Sequence, residues 1–159
     1  MTTDMHASCS RPMALFLVLS WSAAAQAEEA LPGPIPATVE RIIDGDTLDV
    51  VARIWPGLET RARVRLASVD TPELGSPCPN ARKLAQTAQQ LVEQTLRDKP
   101  ITLVHIRPEH AYGRILADVE MADGTDIGAV LLQRGLARPF HTKVRCDWCA
   151  AAPRCNIAK

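Results

Sequence analysis

At 159 residues, 47% of them hydrophobic and 23% charged, the chain is long enough to bury one core and too evenly mixed for a disordered or membrane-embedded protein. Its 18 Lys and Arg balance 18 Asp and Glu. No global field therefore draws it onto nucleic acid, and any attraction to phosphate has to be local.

Residues 1–27 read as a secretory signal peptide. An apolar run from Met13 follows Arg11 and closes on the small-x-small triplet Ala25-Gln26-Ala27, which predicts cleavage after Ala27. The run is shorter than the roughly 20 apolar residues that a spanning helix needs, so no membrane anchor is expected to persist after cleavage. A periplasmic or secreted product follows. Residues 28–37 hold Pro32, Pro34 and Pro36, which forbid helix and favour an extended tether.

The domain is expected over residues 38–145. Thr38–Ile43 and Thr47–Ala52 are rich in β-branched residues and flank the turn dipeptide Asp44-Gly45, the pattern of a hairpin. Pro56-Gly57 turns the chain into a third strand over Arg61–Val69. There Ala62, Val64 and Leu66 share one side, and Arg61, Arg63 and Arg65 the other, because the strand period is two. Asn80–Arg97 places Leu84, Ala85, Ala88, Leu91, Val92 and Leu96 at one-sided helical spacing, with Asn80 as the N-cap. Strands follow over Ile101–Ile106 and Arg114–Met121. A second helix begins at the N-cap Asp126 and ends at Gly135. Five strands with a helix after the third make an α+β chain, in the order of an OB-fold barrel with two or so helices. Residues 146–159 form a cysteine-containing tail. A second basic cluster, Arg134, Arg138, His141, Lys143 and Arg145, precedes it.

The polar residues at the strand ends suit one chemistry. Asp46 and Asp70 are carboxylates that can converge on a hard cation preferring oxygen ligands. Pro72 stiffens the segment after Asp70, so that Glu73 stays close enough to act on a water as a base. Arg65 and Arg114 offer rigid, bidentate donors for the charge that builds on a phosphodiester as water attacks phosphorus.

Four segments in fixed order carry a family resemblance: Ile43-Asp44-Gly45-Asp46-Thr47; Arg65 followed by Val69-Asp70-Thr71-Pro72-Glu73; Tyr112-Gly113-Arg114; and Gln133-Arg134-Gly135-Leu136-Ala137. In residue type, order and spacing the chain resembles the staphylococcal nuclease (thermonuclease) family, from about Thr38 to Phe140. The resemblance implies an OB-fold barrel and a Ca²⁺-dependent nuclease cutting DNA and RNA. It also implies a preference for single strands and 3′-phosphate products. A monomer is expected. Asp46 and Asp70 would be side-chain ligands and Thr71 a carbonyl ligand. Glu73 would be the general base, Arg65 and Arg114 the phosphate-neutralising pair, and Tyr112 a substrate contact. Asp44 reads as a turn-forming residue beside the ligands. The chain departs from the family at Phe140 and His141, where a tyrosine pair is expected, and in a C-terminal third helix that is shortened or absent. The alternatives are a non-catalytic OB-fold nucleic-acid-binding module and a disulfide-stabilised envelope protein. The complete set of five polar residues argues against the first, and only the cysteines argue for the second.

Loss of Cys9 with the signal peptide leaves Cys78, Cys146, Cys149 and Cys155, an even count that in an exported chain reads as two disulfides. A redox C-x-x-C lacks its βαβ setting, and a zinc site lacks its second C-x-x-C pair. Joining Cys146 to Cys149 would close a very small loop with little entropic benefit, so Cys78 is expected to join the tail at Cys146 or Cys149. The Trp-Cys pair that ends exported members of the family implies Cys78 with Cys149, and hence Cys146 with Cys155.

Overall fold

The structure, a computed structural model, describes residues 30–109, 113–140, 144–150 and 154–157; residues 144–146 and 154–157 are described by their backbone alone. The expected signal peptide, Tyr112, His141, Lys143 and the side chains of Arg145, Cys146 and Cys155 lie outside the described residues.

Strands β1 (Ile35–Asp44), β2 (Thr47–Trp55) and β3 (Leu58–Leu66) pair in sequence, each antiparallel to the next. Two later strands complete the sheet, β5 (Pro100–Glu109) and β6 (Arg114–Met121). β6 lies parallel to β3, with Val64 opposite Ile115 and Arg65 opposite Leu116. β5 pairs antiparallel with both β6 and β1 and closes a barrel in the order β1-β2-β3-β6-β5. This is the α+β, five-stranded OB-fold.

Alternation along the strands sends Leu48, Val50, Val64, Leu66, Leu103 and Val119 inward, all fully buried. Helix α1 (Pro79–Leu96) adds Ala88, Val92 and Leu96 to this core, and α2 (Ile127–Gln133) adds Ile127 and Leu131. Each large apolar side chain so buried stabilises the fold by about 1.5–3 kcal/mol before entropy is counted. α2 is capped by Asp126, whose carboxylate accepts from the Gly128 and Ala129 amides at 3.0 and 3.2 Å. Gly135 follows it in the left-handed region, φ 67°, where a Cβ would be strained.

Four details differ from the sequence reading. The proline-rich stretch is extended but not free: Leu31 exchanges two 2.8 Å backbone hydrogen bonds with Ile106, and β1 already pairs with β5 at Ile35. Proline forbids helix, yet it permits pairing along a sheet edge. α1 begins at Pro79, so Cys78 rather than Asn80 takes the N-cap position, because proline suits a first helical position whose amide needs no partner. The third strand stops at Leu66, and Val69–Asp70 forms a separate β4 that pairs with β7 (Arg138–Pro139). The tail is not a bare extension. Strands β8 (Val144–Asp147) and β9 (Arg154–Ile157) form a hairpin with Cys146 opposite Cys155, so the boundary expected after residue 145 falls inside β8. Among the described residues there is no third helix after α2, and no helix is long and apolar enough to cross a membrane.

Candidate active site

The site grows from the β1–β2 turn. Gly45 is required there by close packing: a Cβ would come within 2.7 Å of the Ala88 Cβ on α1 and within 3.1 Å of the Thr71 side chain. That approach seats Asp46 against the segment after β4. Its backbone carbonyl accepts from the Leu66 amide at 2.8 Å. Its carboxylate accepts from Thr47 Oγ1 at 2.9 Å, from Arg65 Nη1 at 3.0 Å and from the Thr71 amide at 2.9 Å. Asp46 is 3% exposed, a depth at which a carboxylate persists only with such partners.

Arg65 stands on the outer face of β3, yet its side chain is only 11% exposed. Nη1 meets Asp46, Nη2 meets Asp70 Oδ1 at 3.0 Å, and the Phe140 ring covers the guanidinium at 5.4 Å. One rigid fork thus spans two carboxylates. The second oxygen of Asp70 accepts from the indole Nε1 of Trp148 at 3.3 Å.

Glu73 and Asp44 complete an acidic rim. Glu73 is open to solvent on one side, but partial desolvation of its carboxyl raises its pKa above the usual range, and the charges of Asp44, Asp46 and Asp70 push the same way against Arg65. Asp44 is raised for like reasons, by desolvation first and by Asp46 second, with the Leu74 amide and Arg65 opposing. Burial is the larger cause of each shift, and the neighbouring carboxylates add to it against the opposing charge of Arg65.

Arg114 begins β6. Its parallel register with β3 puts it on the same outer face as Arg65, one two-residue step back along the strand. Glu109 on β5 holds it through Nε at 2.7 Å and Nη2 at 3.1 Å. Arg114 also lines an open groove of about 350 Å³ with Arg61, Arg63, Glu40 and Asp49. Along that groove Arg61 pairs with Glu40 at 3.1 Å and Arg63 with Asp49 at 2.7 Å.

The structure therefore brings Asp46, Arg65, Asp70 and Thr71 into direct contact, sets Glu73 within their field, and leaves Arg114 on the neighbouring strand of the same face. Tyr112 lies outside the described residues. Arg138, from the second basic cluster, packs its guanidinium on Trp148 at 5.7 Å. Sequence reasoning missed Trp148 and the covering role of Phe140. The signal available for Trp148 was its place beside Cys149, because Cys78 and Cys149 are bonded and their Cα atoms lie 5.6 Å apart.

The donors suit a hard divalent cation. No group of three His, Cys, Asp or Glu side chains among the described residues is arranged to hold a metal. The implied set is different in kind, two carboxylates and a backbone carbonyl, and Asp46 and Asp70 converge on one guanidinium amid surplus negative charge. The Thr71 hydroxyl is buried beside them without a hydrogen-bond partner in the described structure, a polar atom left for an added ligand shell.

The barrel is of the OB type, and the proteins this chain resembles are nucleases. The chain belongs to the family described as staphylococcal nuclease homologue, which matches residues 63–148. An uncharacterized endonuclease of Escherichia coli is 25% identical over 126 residues, 79% of this chain and 69% of that protein. A thermonuclease of Staphylococcus intermedius is 35% identical over 101 residues, 63% of this chain and 56% of that protein. A micrococcal nuclease of Shigella flexneri is 32% identical over 111 residues, 65% of this chain and 57% of that protein.

Proposed function

We propose that the chain is an exported, Ca²⁺-dependent nuclease that hydrolyses DNA and RNA, prefers flexible single strands, works as a monomer and leaves 3′-phosphate ends. The observation that carries this reading is the convergence of Asp46, Asp70 and Glu73 around Arg65. In this reading Asp46, Asp70 and the Thr71 carbonyl would hold the cation, which when bound would polarise the phosphate and favour ionisation of a nearby water.

The chain's own groups do the rest. Glu73, set beside Asp46 and Asp70, accepts a proton from the attacking water. The remaining donors of the Arg65 fork, together with Arg114, face the equatorial oxygens as the new O–P bond forms and the P–O5′ bond breaks, the leaving 5′-oxygen taking a proton from solvent. Two oxygens of Asp46 and Asp70 already fix Arg65, so its alignment does not have to be created when substrate arrives.

The mature chain, incubated with single-stranded DNA and RNA, should cut both with Ca²⁺ and neither with chelator. Glu73→Gln should lower kcat by about 10²- to 10⁴-fold while keeping Ca²⁺ binding. Folded wild-type protein that binds these polymers without cutting them in abundant Ca²⁺ would instead indicate the non-catalytic binding module. Fractionation of producing cells tests export: a chain retained in the cytoplasm with residues 1–27 intact would refute it.

A further inference from the structure

Trp148 reaches the site from 78 residues along the chain, and several contacts fix it there. Its indole N–H donates to Asp70 Oδ2 while Arg65 donates to Oδ1, so the carboxylate is held from both ends with a lone pair left on each oxygen. A face of the ring carries the guanidinium of Arg138, which is also the β7 residue paired with Asp70. One residue on, Cys149 is bonded to Cys78, at the start of α1 and beyond the loop that follows Glu73. Both ends of that bond are themselves fixed. The Cys149 amide donates to Asp147 Oδ1 at 2.9 Å, and Arg82 Nη1 on α1 donates to the Ser76 and Pro77 carbonyls at 2.8 and 3.0 Å.

From this geometry we infer that Trp148 is a positioning residue: it sets the rotation of the Asp70 carboxylate, and the Cys78–Cys149 bond is what keeps it in place. A carboxylate with one oxygen held can still turn about its Cβ–Cγ bond, whereas one held at both oxygens presents its free lone pairs in a fixed direction. Groups that orient a metal-ligating carboxylate typically change cation affinity or turnover 10- to 100-fold when removed. The indole stands at the lower end of that range, because its bond is long, 3.3 Å, and its donor uncharged. The inference rests on the cation-binding reading above for its effect on activity, but the contact itself can be tested without it.

Two measurements decide the matter. The first uses ¹⁵N-labelled mature chain carrying Trp55→Phe, so that Trp148 supplies the only indole resonance after signal cleavage. That resonance should move when Asp70→Asn weakens the acceptor, and should move again in Cys78→Ser/Cys149→Ser. If it moves in neither variant, the contact does not exist in solution and the inference is overturned. The second is Trp148→Phe, which keeps an aromatic face beside Arg138 and removes the N–H donor. By calorimetry its affinity for Ca²⁺ should fall about tenfold, with kcat reduced and KM for a single-stranded oligonucleotide within about twofold of wild type. The paired cysteine variant should lose affinity in the same direction, with Trp148 still present to report its environment. Wild-type or tighter Ca²⁺ affinity in Trp148→Phe would sink the inference, since the indole would then be idle or a plug. If wild-type protein neither binds Ca²⁺ nor cuts, the functional reading fails, and the indole resonance still decides whether Trp148 holds Asp70.

Discussion

Arg63 and Arg65 occupy the same face of β3, two residues apart, and do different things. Arg63 is 46% exposed by side chain and meets a single carboxylate, Asp49, which it shares with Arg41. Arg65 is 11% exposed, divided between Asp46 and Asp70, and roofed by Phe140. The strand period supplies both with the same direction. What separates them is that the barrel's end at Arg65 is closed by the β1–β2 turn, by β4 and by the tail, while the middle of the sheet faces solvent. Function on this face is defined by what converges on an arginine, not by the arginine.

The sharpest way to break that comparison is to remove each guanidinium in turn. Arg65→Ala should lower kcat by about 3 to 4 kcal/mol of transition-state stabilisation. It should also destabilise the fold by about 3–5 kcal/mol, because Asp46 would be left buried and charged with its cation gone. Arg65→Lys keeps the charge but cannot span two carboxylates, so it should recover stability more than turnover. Arg63→Ala, by contrast, should change stability by less than about 1 kcal/mol. Steady-state kinetics and denaturant melts on the three variants check this, and equal losses at both positions would erase the distinction.

A smaller effect tests what holds the closed end. Gly45→Ala pushes a methyl into Ala88 and Thr71, a backbone-borne overlap that neither neighbour can relieve by rotating a long side chain. Overpacking of this kind costs about 1–3 kcal/mol, and it would shift the turn that carries Asp46. The expected outcome is a lower denaturation midpoint together with weaker Ca²⁺ binding. A variant that melts like wild type would show that the turn is looser than the contacts imply.

Gly45 also shows where sequence reading runs out. Asp44-Gly45 reads as a turn dipeptide, and a turn is indeed there, but the constraint on the glycine comes from α1, more than forty residues later. Locally encoded features were legible: the alternating strands, Asp126 as a cap, Gly135 after α2, and Asp46, Arg65 and Asp70 at strand ends. Features that depend on a distant partner were not. Leu31 is fixed by Ile106, Cys78 displaces Asn80 from the cap through the neighbouring proline, and Trp148 is placed by the Cys78 bond. Phe140 is an ordinary aromatic in the sequence, and becomes a cover for Arg65 only because the Phe140 amide donates to the Ser68 carbonyl and draws that segment beside β4. Periodicity and capping act over a few residues, whereas the site is closed by contacts across the whole chain.

The smallest effect expected lies at the open part of the face. Asp49 accepts two hydrogen bonds from Arg63 and one from Arg41, and these arginines, the Arg63 hydrogen bonds first, lower its pKa to about 2 from an ordinary 3.8. The folded chain therefore favours the ionised carboxylate more than the unfolded chain does. Its contribution is fully present above the ordinary value and is lost as pH falls from about 3.8 through about 2. Both arginines are largely exposed, so the contribution should be that of a surface pair, about 0.2–1 kcal/mol, and should shrink further as salt is added. Asp49→Asn should flatten the pH dependence of stability in that acid window and leave stability at neutral pH lower by the same small amount. Denaturant melts of the two proteins at pH 2, 4 and 7, at low and high salt, measure this directly. A loss at neutral pH as large as that of Arg65→Ala would mean that the outer face is as tightly coupled as the closed end, and that the contrast between Arg63 and Arg65 is wrong.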